Sequence, residues 1–162
     1  MGPAQELTGN EKGPPGEGSS RNADPHPAAW PALRRTDLFA IIGLLVLVAT
    51  LTIPRLPPGI CFDDAGDLQL ASATLGIEHP PGYAGYTTIG YLITRLPGVD
   101  PAYLVTLACL VSGVIALLVC VLQQIRLGAD AWLACAIAAL LAWHPRFWLN
   151  LRSPEVYMPT LA

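Results

Sequence analysis

Residues 102–124, AYLVTLACLVSGVIALLVCVLQQ, run for twenty-three positions without a charge or a proline. As a helix rising about 1.5 Å per residue, that stretch reaches roughly 35 Å, enough to cross the roughly 30 Å hydrocarbon core of a bilayer. Pro101 precedes it and suits a first helical turn, where the missing N–H costs nothing. Composition agrees: 52% of the 162 residues are hydrophobic, 13% are charged, and the apolar residues are clustered rather than periodic, the pattern of an integral membrane protein. The formal net charge of −3 gives no electrostatic footprint for nucleic acid, and the one dense basic feature is Arg34-Arg35.

Two further apolar segments flank the first. Leu38 to Ile53 is sixteen residues without charge or proline, and Pro54, Pro57 and Pro58 stop it. Ala131 to about Leu151 is apolar up to Trp143 and then carries His144, Pro145 and Arg146, so its outer end is expected to be kinked and polar. The expected fold is therefore an all-α integral membrane protein, a multi-spanning helical bundle with about three transmembrane helices at 38–53, 102–124 and 131–151. Residues 1–33 are rich in Gly, Pro, Ser and charge and cannot bury enough apolar surface to offset the entropy of ordering. They read as a disordered cytoplasmic tail. Arg34 to Ile53 also has the outline of a signal peptide, but a long tail leads it and no small-x-small cleavage site follows.

Basic residues in short loops set the orientation. Arg34 and Arg35 precede the first span and Arg126 lies in the turn between the second and third, so these flanks are expected in the cytoplasm. The 54–100 connection then faces the extracytoplasmic side with Asp63, Asp64, Asp67, Glu78 and Asp100 against Arg55 and Arg95, and the segment after the third span, with Arg146, Arg152 and Glu155, shares that side. Cys109, Cys120 and Cys135 lie in apolar runs and only Cys61 in a polar connection, which is neither a disulfide framework nor a zinc spacing.

Within the outer connection, Asp67 to Leu75 reads as a short helix with Leu68, Ala71 and Leu75 on one face, Asp64 at its cap and Gly76 at its end. Ala84 to Leu96 reads as a second, with Tyr86, Ile89, Ile93 and Leu96 at helical spacing and Pro97-Gly98 closing it. Both are too short to span, so they are expected to lie in the membrane interface with Arg95 snorkelling.

The motifs of chemical interest are Asp64-Ala65-Gly66-Asp67-Leu68, Leu75-Gly76-Ile77-Glu78-His79-Pro80-Pro81-Gly82-Tyr83 and Glu155-Val156-Tyr157. Carboxylates so near hydrocarbon are costly unless they have a task or a partner. In content, order and approximate spacing, these motifs resemble the multi-spanning family of transmembrane protein 260, O-mannosyltransferase-like proteins, over about Leu38 to Tyr157. The resemblance implies a glycosyltransferase of the GT-C architecture, with an essential acid in the first outer loop and a lipid-linked sugar as donor. Asp64 occupies the family aspartate, Asp67 a position often held by glutamate, and the run from His79 to Tyr83 matches without change. Three positions depart from the pattern: Asp63 stands where glycine is common, Ala84 where proline is usual, and Pro154 where a small residue is expected.

Transfer from a polyprenyl-phosphate-linked sugar to an acceptor hydroxyl needs a base within about 3 Å of that hydroxyl, a role that suits Asp64 with Asp67 as its catalytic companion. The leaving lipid phosphate needs cations, for which Arg146 and Arg152 are candidates. His79, Tyr83 and Glu155 complete the candidate substrate-binding set. Each has a structural alternative. Asp64 can be a helix cap, Asp67 a first-turn acid favoured by the macrodipole, and His79 part of a turn. Tyr83 can sit at the lipid interface, and both arginines can snorkel to headgroups. Asp63, Asp64, Asp67 and Glu155 offer hard oxygen ligands, so a divalent metal is the one cofactor to consider, although no recognised loop geometry specifies it. GT-C enzymes have around a dozen spans, so the chain reads as an N-terminal fragment, inactive alone. The competing class is a non-catalytic membrane module or transporter fragment whose acids line an ion path.

Overall fold

The computed structural model describes residues 32–77, 83–157 and 159, and every regular element among them is helical. α1 (Arg35–Thr52) continues as a 3-10 turn, Ile53–Arg55. α2 (Asp64–Thr74), α3 (Ala84–Thr94), α4 (Pro101–Arg126), α5 (Ala131–Trp143) and α6 (Pro145–Asn150) follow. The expected tail, and with it His79, lies outside or almost wholly outside the described residues.

α1 begins three residues before the apolar run, because Asp37 caps it: the Arg34 backbone N–H donates to Asp37 Oδ2 at 2.9 Å. With its 3-10 extension the first segment is 21 residues long, and α4 has 26. Both are long and apolar enough to cross a membrane. In α4, Pro101 occupies the first turn, and Asp100 Oδ1 accepts from the N–H groups of Ala102 and Tyr103 at 2.9 and 3.1 Å. Asp130 caps α5 in the same way, accepting from Trp132 N–H at 2.9 Å.

The expected third span does not continue to 151. α5 ends after 13 residues, about 20 Å, at Trp143. His144 then takes the extended conformation that a following proline imposes (φ −64°, ψ 130°), and Pro145 starts the six-residue α6. The elbow brings Trp143 and Trp148 within 6.0 Å, centroid to centroid.

α1, α4 and α5 pack on one another around a core of Ile41 and Val48 from α1, Leu110, Leu117, Val121 and Ile125 from α4, and Ala131, Ala134, Cys135, Ala138 and Ala142 from α5. The α5 contribution is a seam of small residues, which lets helix backbones approach closely. Phe147 and Leu151 of the elbow close the bundle at one end.

α2 and α3 form a second layer, packed on each other and on α4. Here the expected faces are corrected. α3 buries Thr87, Gly90 and Thr94, whereas Ile89 and Leu96 of the expected apolar stripe are exposed. Gly90 makes the approach possible: a Cβ there would run into Ser72 Oγ and lie 2.7 Å from Ser72 Cβ. Arg95, expected to snorkel, stacks its guanidinium 4.1 Å from the centre of the Tyr91 ring.

Candidate functional site

The acids lie at the start of α2, which begins at Asp64, three residues before the expected helix start at Asp67. Asp64 is the first helical residue rather than the cap, and Asp63 takes the cap position with φ 63° and ψ −156°. That backbone region is essentially reserved for glycine, so the departure noted at this position sits on a strained residue. Asp63, Asp64 and Asp67 are all exposed. The N–H groups of Gly66 and Asp67 donate to the Asp63 carbonyl at 2.8 and 3.3 Å. At the other end, the left-handed residue is Leu75 (φ 55°), not Gly76, and Leu75 is exposed rather than on the buried face. Gly76 instead donates its N–H to Ala71 O at 2.9 Å, the backbone bond that closes such a helix end.

What holds this turn in place is Gln69, which the sequence reading passed over. Its side chain is buried; Oε1 accepts from the Cys61 N–H at 2.7 Å, and Nε2 donates to Ala102 O and Thr106 Oγ1, each at 3.0 Å. One amide therefore joins the 59–61 loop, α2 and the first turns of α4. The loop lies so close over the helix start that a Cβ on Gly66 would collide with Cys61 O. Burial pushes the Cys61 thiol above its ordinary value, with the Gln69 bond opposing. The signal available in sequence was a single amide in Leu68-Gln69-Leu70-Ala71, flanking the apolar face.

Tyr83 sits at the cap of α3, half-buried, and borders a recess of about 290 Å³ shared with Tyr86, Ile89, Val156 and Pro159. The segment after α6 is thus folded against the start of α3. Tyr86 Oη donates to Pro154 O at 3.2 Å and lies 3.5 Å from Cys109 Sγ, and Cys109 Sγ in turn donates to Glu155 O at 3.6 Å. Glu155 is half-buried, and its Oε1 accepts from Ser153 Oγ at 3.0 Å. Tyr86 and Cys109 are the contacts that bring Glu155 towards Tyr83, and neither was singled out beforehand as a site residue.

A longer apolar groove of about 420 Å³ runs between α3 and α4, lined by residues such as Ile89, Ile93, Leu104, Leu107 and Val111. It shares Tyr86, Ile89 and Pro159 with the Tyr83 recess. The two arginines point elsewhere. Arg146 is exposed on α6, and Arg152 Nε donates to Arg55 O at 3.0 Å, at the end of the first long apolar segment. Among the described residues, no three His, Cys, Asp or Glu side chains converge as a metal site would require.

The family model described as "Protein O-mannosyl-transferase TMEM260 N-terminal domain" matches residues 64–161. The chain belongs to this family. The matched range opens on Asp64 and contains Asp67, His79, Tyr83, Arg146, Arg152 and Glu155. Over 102 residues the chain is 39% identical to the protein O-mannosyl-transferase TMEM260 of Mus musculus, a match covering 62% of the chain and 14% of the mouse protein. Over 128 residues it is 23% identical to the protein O-mannosyl-transferase tmem260 of Dictyostelium discoideum, covering 77% of the chain and 16% of that protein. The chain thus spans a small part of the length of these curated relatives. No solved structure matches it.

Proposed function

We propose that the chain is the N-terminal part of a membrane-embedded glycosyltransferase of the GT-C kind, moving a sugar from a polyprenyl-phosphate donor to an acceptor hydroxyl on the extracytoplasmic side. The observation that carries this reading is the pair Asp64 and Asp67, exposed on the first turn of a helix that Gln69 ties to the start of α4. The names of the relatives, protein O-mannosyl-transferases, suggest mannose as the sugar and a protein hydroxyl as the acceptor.

In this mechanism Asp64 accepts the proton of the acceptor hydroxyl as its oxygen attacks the anomeric carbon. The bond from that carbon to the phosphate oxygen breaks, and polyprenyl phosphate leaves. Asp67 supports the base from three residues further along the first turn of α2. Tyr83 offers a face for sugar stacking, and Glu155, with His79, extends the substrate contacts. The apolar groove between α3 and α4 has the lining that an isoprenoid chain needs, and it opens towards the Tyr83 recess. Arg146, exposed on α6, is the cation proposed for the departing phosphate, while Arg152 is directed to the end of α1, where its Nε meets the Arg55 carbonyl. In the matching topology, Arg34, Arg35 and Arg126 face the cytoplasm and the 54–100 connection faces outward.

The competing reading, a transporter fragment or other non-catalytic module, asks for acids at mid-depth within a span. Asp63, Asp64 and Asp67 instead lie between the two long apolar helices, at and after the cap of an 11-residue helix, which favours the transferase. The test is to express the full-length protein with Asp64→Asn beside the unaltered protein, and to measure consumption of a panel of polyprenyl-phosphate sugars in membranes at matched protein levels. Turnover that disappears in the variant is expected; equal turnover reduces Asp64 to a helix-start acid.

A further inference from the structure

Where the end of α1 meets the α5–α6 elbow, Leu51, Arg55, Trp143, Pro145 and Trp148 line an open cleft of about 420 Å³. It shares no lining residue with the groove or the Tyr83 recess. Two arginines meet beside it. The Arg55 guanidinium turns back to donate to the Leu51 carbonyl, and Arg152 Nε donates to the Arg55 carbonyl at 3.0 Å. The two side chains therefore bond to carbonyls one helical turn apart. Each guanidinium carries five N–H donors, these bonds use one apiece, and neither arginine has a carboxylate partner among the described residues. Arg55 lines the cleft and Arg152 is anchored to the Arg55 backbone, so an anion seated there would be attracted by both charges. The remaining walls are the tilted indoles of Trp143 and Trp148, side chains characteristic of the headgroup level of a bilayer. Below the cleft, Leu47 lies one turn before Leu51 on α1 and is half-exposed.

We infer that this cleft binds the headgroup of an anionic phospholipid, with its phosphate bridging Arg55 and Arg152 and an acyl chain descending past Leu51 and Leu47. A phosphate diester matches the planar donor forks, and the lipid so held staples the end of α1 to the elbow after α5. The cleft lining contains no carboxylate, and Asp64 and Asp67 belong to α2, which packs on α3 and α4. The site therefore binds without performing chemistry, and it depends on membrane insertion rather than on the proposed transferase reaction.

The test uses the full-length protein in nanodiscs made from equimolar phosphatidylglycerol and phosphatidylcholine, with the lipid that survives release into the gas phase counted by native mass spectrometry. Preferential retention of phosphatidylglycerol is expected. The double variant Arg55→Gln, Arg152→Gln should lower that retention by about thirtyfold, at about fivefold per arginine near a membrane surface. Arg95→Gln, remote on Tyr91, should leave it unchanged. If the double variant does not fold, Arg152→Gln alone preserves the Arg55 cap on α1 and should still cost about fivefold. Equal retention of the two lipids, or full retention in a folded variant lacking Arg152, overturns the inference. So does displacement by inorganic phosphate, which would make this a free-anion site, or by polyprenyl phosphate, which would make it part of the donor site.

Discussion

Asp63 pays for its place at the head of α2 with a backbone conformation (φ 63°, ψ −156°) that residues with a Cβ rarely adopt. Such strain costs about 1–3 kcal/mol, part of which a glycine would return as extra chain entropy when unfolded. Asp63→Gly should therefore raise the stability of the protein by about 1 kcal/mol, seen as a higher midpoint in thermal unfolding in detergent, without loss of whatever depends on Asp64. A lowered midpoint would mean that the Asp63 carboxylate contributes more than its backbone costs. At this scale the sequence was informative about which residues matter and misleading about register. Asp64 looks like a cap because Asp is a good cap, but the Asp63 carbonyl accepts from both Gly66 and Asp67, so the helix begins at Asp64, three residues before the expected start.

At the scale of elements, the long apolar helices were legible from unbroken runs of apolar residues without charge or proline, and Pro145 made a kink near His144 legible, though not that α5 ends there. The packing face of α3 was not. Thr87, Gly90 and Thr94 carry little hydropathy, while Ile89 and Leu96 advertise burial and line a groove instead. In such a contact, size decides more than hydrophobicity. Gly90→Ala should separate α2 from α3 and destabilise the protein by about 1–3 kcal/mol. Ser72→Ala should be neutral or stabilise by up to about 1 kcal/mol, because the buried Ser72 hydroxyl has no hydrogen-bond partner among the described residues. Thermal unfolding of the two variants side by side checks both signs; a stable Gly90→Ala protein would mean that Ser72 moves aside at no cost.

Across the whole molecule, the two layers are joined through α4, and Gln69 is the polar part of that joint. Its partners lie at sequence separations of 8, 33 and 37 residues, so no local pattern could reveal it. Gln69→Leu should cost about 2–4 kcal/mol by leaving the Cys61 N–H unsatisfied and detaching the loop. Burial is the larger influence on the Cys61 thiol and the Gln69 bond the smaller, opposing one, so a loosened loop should on balance lower the thiol towards its ordinary value and speed alkylation by maleimide at mildly alkaline pH. Unchanged stability and unchanged labelling together would show that Gln69 is a passenger. The bond from Arg152 to Arg55, which spans 97 residues, has a temporal meaning as well. At about 5–20 residues per second, a ribosome needs roughly 5–20 s to make the second partner after the first. The contacts of Gln69 with α4 close over little more than a third of that interval, so the outer layer can assemble first, while the end of α1 waits for a clasp not yet synthesised.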